Sequence, residues 1–173
     1  MTQLSQELTQ WFNHQIIAYA KSHGRFHLPW KQPATPYRVW ISEMMLQQTQ
    51  VQTVLAYFDK FMKVFPDLQT LADASLDEVN QVWAGLGYYR RARFIHASAQ
   101  QLVQQHQGQF PNNIEALLKL PGIGLSTAGA ILAQAFDIPA AILDGNVKRI
   151  LTRFFLVPGY PDHPRTMKQL WLL

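Results

Sequence analysis

Cysteine is missing from this chain of 173 residues. Its absence excludes disulfide bonds, a thiolate nucleophile, cysteine-ligated zinc and a cysteine-held iron–sulfur cluster within these residues. Long apolar runs are missing too, because no stretch approaches the ~20 residues that a membrane helix needs. The polar N-terminus also lacks the charged and then apolar pattern of a secretion signal. We therefore expect a cytoplasmic protein.

The alternation of apolar and polar residues that is typical of β-strands is nearly absent, and apolar residues instead recur at spacings of three and four. This spacing predicts an all-α protein whose length suffices for one sizeable core. Asn112 followed by Glu115 predicts a capping box at the start of one helix. The predicted helices cover residues 4–22, 37–63, 75–82, 89–107, 113–119, 125–135, 145–156 and 164–173.

Basic residues only slightly outnumber acidic ones. Fifteen lysines and arginines against eleven aspartates and glutamates give a formal charge of +4, which favours an anionic partner without proving one. The histidines offer no metal site, because His23 and His27 are four apart but lie on either side of Gly24. No metal ligand set is therefore expected in this chain.

Glu43 lies in the longest predicted helix, at the border of its apolar face. Burial there would raise the pKa of Glu43, which suits a general acid working near neutral pH. Gln47 and Gln48 follow and could satisfy the polar edges of a ligand. The alternative is a boundary residue paired with an arginine. The apolar stripe consists of Trp40, Met44, Val51, Leu55 and Phe58.

Asp144 directly precedes Gly145, at the expected N-cap position of a helix. Backbone N–H donors and the helix dipole there would keep its carboxylate ionised, and such an anion could stabilise a developing cation. Simple capping is the alternative.

Between the two carboxylates, a Leu-Pro-Gly-Ile-Gly run at residues 120–124 separates two predicted helical segments. Glycines let backbone N–H groups approach an anion closely, and the second helix presents its positive end to the same place. The run therefore predicts a phosphate-binding hairpin, with a purely structural helical corner as the alternative.

A Gly-Leu-Gly-Tyr-Tyr-Arg-Arg-Ala-Arg run at residues 85–93 combines aromatic and basic side chains. Arginines contact phosphates and an aromatic ring can wedge into a base stack, so this run indicates a surface that distorts duplex DNA. The alternative is core tyrosines beside solvated arginines. The loop at residues 24–30 adds Arg25 and Trp30, although an isolated tryptophan is more often part of a core.

Together, the hairpin run, the downstream Asp144 and the Glu43 helix resemble the helix–hairpin–helix DNA glycosylase superfamily. The Ser-Glu-Met-Met-Leu-Gln-Gln-Thr-Gln-Val run at residues 42–51 resembles MutY-type adenine DNA glycosylases, relatives of endonuclease III. The resemblance implies one catalytic unit over residues 1–173 with two helical lobes. One lobe is a six-helix module at 25–134 with its hairpin at 117–132, and the other combines 1–24 with 135–173 and is incomplete.

The resemblance also implies an activity, which is removal of adenine mispaired with 8-oxoguanine or guanine in double-stranded DNA, by a monomer. The adenine would be flipped out of the helix. Glu43 would protonate the departing adenine and Asp144 would stabilise the oxocarbenium-like sugar until water completes hydrolysis.

Further residue roles are implied in the same way. Gln48 and Tyr88 would engage the strand that carries 8-oxoguanine, and Gly122 and Gly124 would hold phosphate. Ser126 stands where endonuclease III carries a catalytic lysine, and because a Schiff base needs an amine, a monofunctional glycosylase is favoured. The adenine pocket would be lined by Arg25, Leu28, Trp30, Leu46 and Val51.

One departure from this family lies on the C-terminal side. Full-length members continue into four cysteines that hold a [4Fe–4S] cluster and then into a domain that helps recognise 8-oxoguanine. Neither is present in these residues, so we expect a C-terminally truncated chain that binds no cluster. Three alternatives stay open: an endonuclease III-like glycosylase, a non-catalytic helix–hairpin–helix DNA-binding module and, more distantly, a protein-interaction scaffold.

Overall fold

The computed structural model describes residues 6–173, and every regular element in that range is an α-helix. The all-α prediction is therefore confirmed; the first two residues of the predicted 4–22 helix lie outside the described range. In chain order the helices are α1 (Gln6–His23), α2 (Pro36–Leu46), α3 (Val51–Val64), α4 (Leu68–Asp73), α5 (Leu76–Trp83), α6 (Arg90–His106), α7 (Ile114–Leu117), α8 (Leu125–Ala135), α9 (Gly145–Phe154) and α10 (Pro164–Leu170).

Helix α2 lies at the centre of the main core and contacts α3, α6 and α8. Its start is fixed by Thr35, whose Oγ1 accepts a hydrogen bond from the backbone N–H of Arg38 at 3.3 Å, and by Pro36 in the first turn. The helix lies centrally because it carries apolar side chains on most of its circumference. Its fully buried apolar residues are Val39, Trp40, Ile41, Met44 and Met45.

The single helix predicted over residues 37–63 is wrong. The chain leaves the helical conformation after Leu46, and Gln48 adopts a left-handed backbone with φ +57° before α3 begins at Val51. The break has a tertiary cause. The buried Arg91 guanidinium donates to the carbonyls of Met44, at 3.0 Å, and Met45, at 2.7 Å, in place of the N–H groups of a further helical turn.

Two other predictions about helix starts need correction. Helix α4 was not predicted; it is short, and Asp67 caps it by accepting from the backbone N–H of Thr70 at 2.8 Å. Asn113, not Asn112, caps α7, because its side chain accepts from the N–H of Ala116 at 2.9 Å. The capping box predicted on Asn112 is therefore absent, and α7 spans only Ile114–Leu117.

Helices α1, α9 and α10 lie beside the main core, whose buried members run from Leu28 to Leu132. The ring of Phe12 packs on those of Phe154 and Phe155, with centroids 4.5 and 5.2 Å away. These aromatic contacts join the start of the chain to the helix that follows Asp144. Within residues 6–173, no helix combines the length and apolarity needed to cross a membrane.

Candidate active site

Two adjoining clefts bring the separated sequence motifs together. The first cleft, of about 850 Å³, is lined by Leu46, Gln47, Gln48, Tyr88, Arg91, Asp144, Gly145, Asn146, Lys148, Arg149 and Asp162. The second cleft, of about 610 Å³, is lined by Arg25, His27, Leu28, Leu46, Thr49, Gln50, Val51, Gln52, Leu55, Asp144 and Asn146. Leu46, Asp144 and Asn146 belong to both, so the clefts meet beside the Asp144 carboxylate.

Glu43 lies on α2 one turn before Leu46, which lines both clefts, and is itself half-buried. Burial raises the pKa of its carboxyl to about 7, and the nearby negative charge of Asp144 acts in the same direction. A hydrogen bond from the Gln134 side chain and the charge of Lys31 oppose this rise. Glu43 can therefore carry a proton near neutral pH, as a general acid must.

Asp144 occupies the N-cap of α9, as predicted, and its Oδ1 accepts from the N–H of Val147 at 2.8 Å. Unlike Glu43, it is exposed. The segment before it is held against α8, because the N–H of Leu143 donates to Ser126 Oγ at 3.2 Å. Gly129 allows close approach, since a Cβ there would lie 2.4 Å from the carbonyl oxygen of Ala141. Helix α8 thus positions Asp144.

The two hairpin glycines serve different purposes. Gly122 has φ +76°, and a Cβ there would lie 2.7 Å from the ring of Phe94, so this position requires glycine. Gly124 has an ordinary φ of −97° and caps α8 without a side chain, and open space surrounds its missing Cβ. Gly124 and Leu125 are exposed, so the start of α8 is open to solvent, and the unpaired N–H groups of a helix start can bind a phosphate.

Gln48 and Tyr88 lie on the first cleft and share an uncommon backbone. Both have positive φ, +57° and +50° respectively, and both side chains are exposed. Tyr88 remains 61% exposed although it is aromatic. Because two strained, exposed residues face one cleft, their side chains are available to a ligand there.

The arginines of residues 85–93 do not form one basic surface. Arg90 and Arg93 are exposed, whereas Arg91 is 5% exposed and its guanidinium donates to backbone carbonyls. Burial also lowers the pKa of Arg91. The prediction that this run offers three arginines to phosphate is therefore wrong for Arg91. Its helical spacing from Ile95 and Leu102 is the signal that could have indicated burial.

The residues predicted to line the adenine pocket divide into those that line a cleft and one that is buried in the core. Arg25, Leu28, Leu46 and Val51 line the second cleft. Trp30 lines neither cleft; it is 3% exposed and its ring packs edge-on against Phe58 at 5.3 Å.

Sequence reasoning missed the two side chains that lower the pKa of Glu43 and so oppose the effect of burial. Lys31 and Gln134 come from a loop and from α8, far from Glu43 in sequence. No motif or spacing in the chain connects either of them with Glu43.

Comparison with known proteins identifies the architecture. Residues 41–173 match the model of the HhH-GPD superfamily of base excision DNA repair proteins. The chain belongs to this superfamily. A solved thermostable thymine-DNA glycosylase superimposes on this HhH-GPD protein with a TM-score of 0.85 at 26% identity, covering 96% of this chain and 76% of the other. The prediction of a helix–hairpin–helix glycosylase fold is confirmed.

Curated relatives of this HhH-GPD protein include adenine DNA glycosylases. That of Buchnera aphidicola subsp. Baizongia pistaciae (strain Bp) is 49% identical over 152 residues, which are 88% of this chain and 41% of the relative. The human adenine DNA glycosylase is 45% identical over 153 residues, which are 83% of this chain and 28% of the relative. The chain thus spans less than half the length of either relative.

The iron–sulfur cluster that the resemblance implies for full-length members does not fit the residues present. The chain has no cysteine to supply thiolate ligands. Across residues 6–173, no group of three or more histidine, aspartate or glutamate side chains is arranged to hold a metal ion.

Proposed function

We propose that this HhH-GPD protein removes adenine mispaired with 8-oxoguanine or guanine from double-stranded DNA by hydrolysing the N-glycosidic bond. The observation that carries the proposal is the half-buried Glu43, whose pKa of about 7 is raised by burial and by Asp144 across the same site. The names of the curated relatives supply the base, adenine.

The first chemical step is protonation of the leaving base. A flipped adenine in the second cleft would lie beside Leu46 and Asp144, and Glu43 is one helical turn before Leu46 on α2. Glu43 transfers its proton to a ring nitrogen of adenine, and the electron pair of the glycosidic bond leaves with the base, which departs neutral. The deoxyribose keeps the positive charge.

The second step is stabilisation of that charge and addition of water. The exposed carboxylate of Asp144 stabilises the oxocarbenium-like sugar. Water then adds to the anomeric carbon, loses a proton to solvent and leaves an abasic site. Glu43 takes a proton from solvent, so both carboxyl groups return to their starting states.

The surrounding residues hold the substrate. Gln47 offers an exposed amide to the edge of the flipped base, and Gln48 and Tyr88 engage the opposite strand from the first cleft. The backbone around Gly122 and Gly124 binds a phosphate at the start of α8. The second cleft supplies the adenine pocket through Arg25, Leu28, Leu46 and Val51, with Trp30 supporting it from the core.

The remaining parts of the proposal concern organisation. The chain acts as a monomer in the cytoplasm, as one catalytic unit over residues 1–173. Its lobes are residues 25–134 and residues 1–24 with 135–173, and the aromatic contacts between α1 and α9 support this division. Ser126 provides no amine for a Schiff base, which supports base removal without strand cleavage.

The test is single-turnover reaction with a labelled duplex that contains adenine opposite 8-oxoguanine, analysed with and without alkali. Strand breaks that appear only after alkali are expected, because alkali cleaves abasic sites. Breaks without alkali would indicate an endonuclease III-like enzyme instead. Retained duplex binding with no base release under either condition would overturn the proposal and favour the non-catalytic DNA-binding module.

A further inference from the structure

The side chain of Arg91 joins two loops that lie far apart in sequence. Its Nη1 donates to the carbonyls that end α2 and to the carbonyl of Gln47 at 2.7 Å, while Nη2 donates to the carbonyls of Leu86 at 3.3 Å and Gly87 at 3.2 Å. Both nitrogens also approach Thr49 Oγ1 at 3.3 Å. One guanidinium therefore bonds the loop that contains Gln48 and the loop that precedes Tyr88.

Aromatic contacts hold the same guanidinium from the sides. Its Cζ lies 5.3 Å from the ring centroid of Trp83 and 5.3 Å from that of Tyr88. Trp83 Nε1 donates to the carbonyl of Gly87 at 3.0 Å, which ties the second loop to the core. Arg91 thus fixes both the backbone before Tyr88 and the ring of Tyr88 itself.

Among residues 6–173, no carboxylate forms an ion pair with Arg91. The ion pair that this part of the chain does contain joins Lys148 to Asp162. The two Nη atoms of Arg91 donate to carbonyl groups, whereas its Nε is buried without a partner in the same part of the chain. Such a buried cation is costly to retain compared with an apolar side chain of similar size. The planar fork of an arginine is the group that can bond to two sets of carbonyls at once. An arginine at this position is therefore explained by its hydrogen bonds to both loops.

We propose that Arg91 is a positioning residue that holds Gln48 and Tyr88 together on the first cleft and thereby sets discrimination for the base opposite the target adenine. This inference rests on the proposed function. Arg91 acts through the loops, because its side chain is 5% exposed and its Nη atoms donate to loop carbonyls, although the residue also belongs to the lining of the first cleft.

The experiment compares Arg91→Met and Arg91→Lys with Arg93→Met. Arg93 lies on the same helix and is exposed, so its loss removes the same charge without touching the loops. Arg91→Lys retains the charge but cannot bond both loops, which keeps the test valid if Arg91→Met fails to fold. Thermal unfolding of each variant identifies which of them fold.

The first measurement is amide hydrogen exchange in the free protein. The N–H of Thr49 bonds to Leu46 and that of Leu86 to Trp83, at 3.2 and 3.0 Å, so each reports on one loop. We expect both to exchange about tenfold faster in the Arg91 variants. The N–H of Phe136, at the end of α8, is the control and should not change.

The second measurement is binding of duplexes that carry a non-cleavable adenosine analogue opposite either 8-oxoguanine or guanine. The ratio of the two affinities should fall about tenfold in the Arg91 variants and stay constant in Arg93→Met, which weakens both equally. Because neither measurement needs base release, an inactive wild-type chain would defeat the proposed function and still leave the role of Arg91 decided.

Two results would overturn the inference. Faster exchange at only one of Thr49 and Leu86 would mean that Arg91 does not join the loops. An unchanged affinity ratio with faster exchange at both would mean that the link is structural and does not set discrimination.

Discussion

Glu43 and Asp144 carry the same functional group and lie on the same site, yet their surroundings differ in every respect. Glu43 is half-buried on α2, where loss of water raises its pKa to about 7. Asp144 is exposed at the first turn of α9 and accepts a backbone N–H. Burial disfavours the charged form of Glu43, whereas the Asp144 carboxylate meets solvent and a backbone N–H. The difference supports the opposite tasks that we propose for these two carboxyl groups.

The largest expected effect is that of Glu43→Gln, which removes the proton donor and leaves the shape of the side chain. Single-turnover release of adenine should fall by about a thousandfold or more, within the range that general acids contribute together with leaving-group activation. Glu7→Gln, at an exposed position on α1, is the matched control and should retain full activity. Full activity in Glu43→Gln would remove Glu43 from the mechanism.

Asp144→Asn should lower the rate by about a hundredfold, the typical value for losing one electrostatic contribution to the transition state. Asparagine caps helices as well as aspartate does, so thermal stability should barely change. Because the Asp144 charge raises the pKa of Glu43, the variant should also lower that pKa. Carbon-13 NMR titration of the glutamate carboxyl groups measures it, with the exposed Asp59→Asn as the control.

Stability against pH gives the third test. The folded-state pKa of Glu43, about 7, lies above its ordinary value of 4.5. Ionisation is therefore harder in the folded protein, and the cost appears as pH rises from 4.5 and is complete above 7. Glu43→Gln should be about 3 kcal/mol more stable than wild type near pH 8 and about equal to it near pH 4. Urea unfolding at both pH values measures this, and equal stability near pH 8 would contradict burial of the charge.

Ser126→Ala should affect Asp144 and leave Glu43 alone. The variant deprives the N–H of Leu143 of its acceptor, which should cost about 1 kcal/mol and slow the reaction several-fold through a looser Asp144. Urea unfolding and single-turnover rates measure the two effects. Ser126→Thr, which keeps the hydroxyl, should recover most of both. A loss shared by Ser126→Thr would point to packing instead.

The smallest expected effect comes from Gln134→Leu, which acts on Glu43 alone. Loss of the Gln134 hydrogen bond should raise the pKa of Glu43, so the rate should begin to fall at a higher pH than in wild type. The sign is opposite to that expected for Asp144→Asn. The exposed Gln105→Leu serves as the control in the same pH–rate measurement. A shift toward acid would show that Gln134 does not bond to the ionised form.

The sequence allowed the all-α class, the hairpin and the Asp144 cap to be predicted because each depends on local signals. Apolar spacing indicates helices, and Asp144 before Gly145 indicates an N-cap. The break after Leu46 had no such signal, since neither glycine nor proline lies between Leu46 and Val51. It depends on hydrogen bonds from Arg91, more than forty residues away along the chain.

The electrostatic partners of Glu43 could not be predicted from the sequence either. A raised pKa for Glu43 could be expected from its place beside an apolar stripe, but Gln134 and Lys31 come from separate parts of the chain. Three arginines in one run look alike in sequence, but in the structure Arg91 lies on the buried face of α6 with Ile95 and Leu102, whereas Arg90 is exposed. The direction of a pKa shift can therefore be predicted from neighbouring residues in sequence, whereas the side chains that oppose it depend on tertiary contacts.

Helix α8 has a consequence for how this architecture can vary. Its start offers N–H groups at Gly124, its middle holds the chain before Asp144 through Gly129, and its last turn carries Gln134 next to Glu43. The span from Gly124 to Gln134 is about 15 Å at the usual rise of a helix. One inserted residue would lengthen it by about 1.5 Å and turn its end by about 100°. The length of this one helix therefore sets how far Gln134, the neighbour of Glu43, lies from the exposed helix start at Gly124.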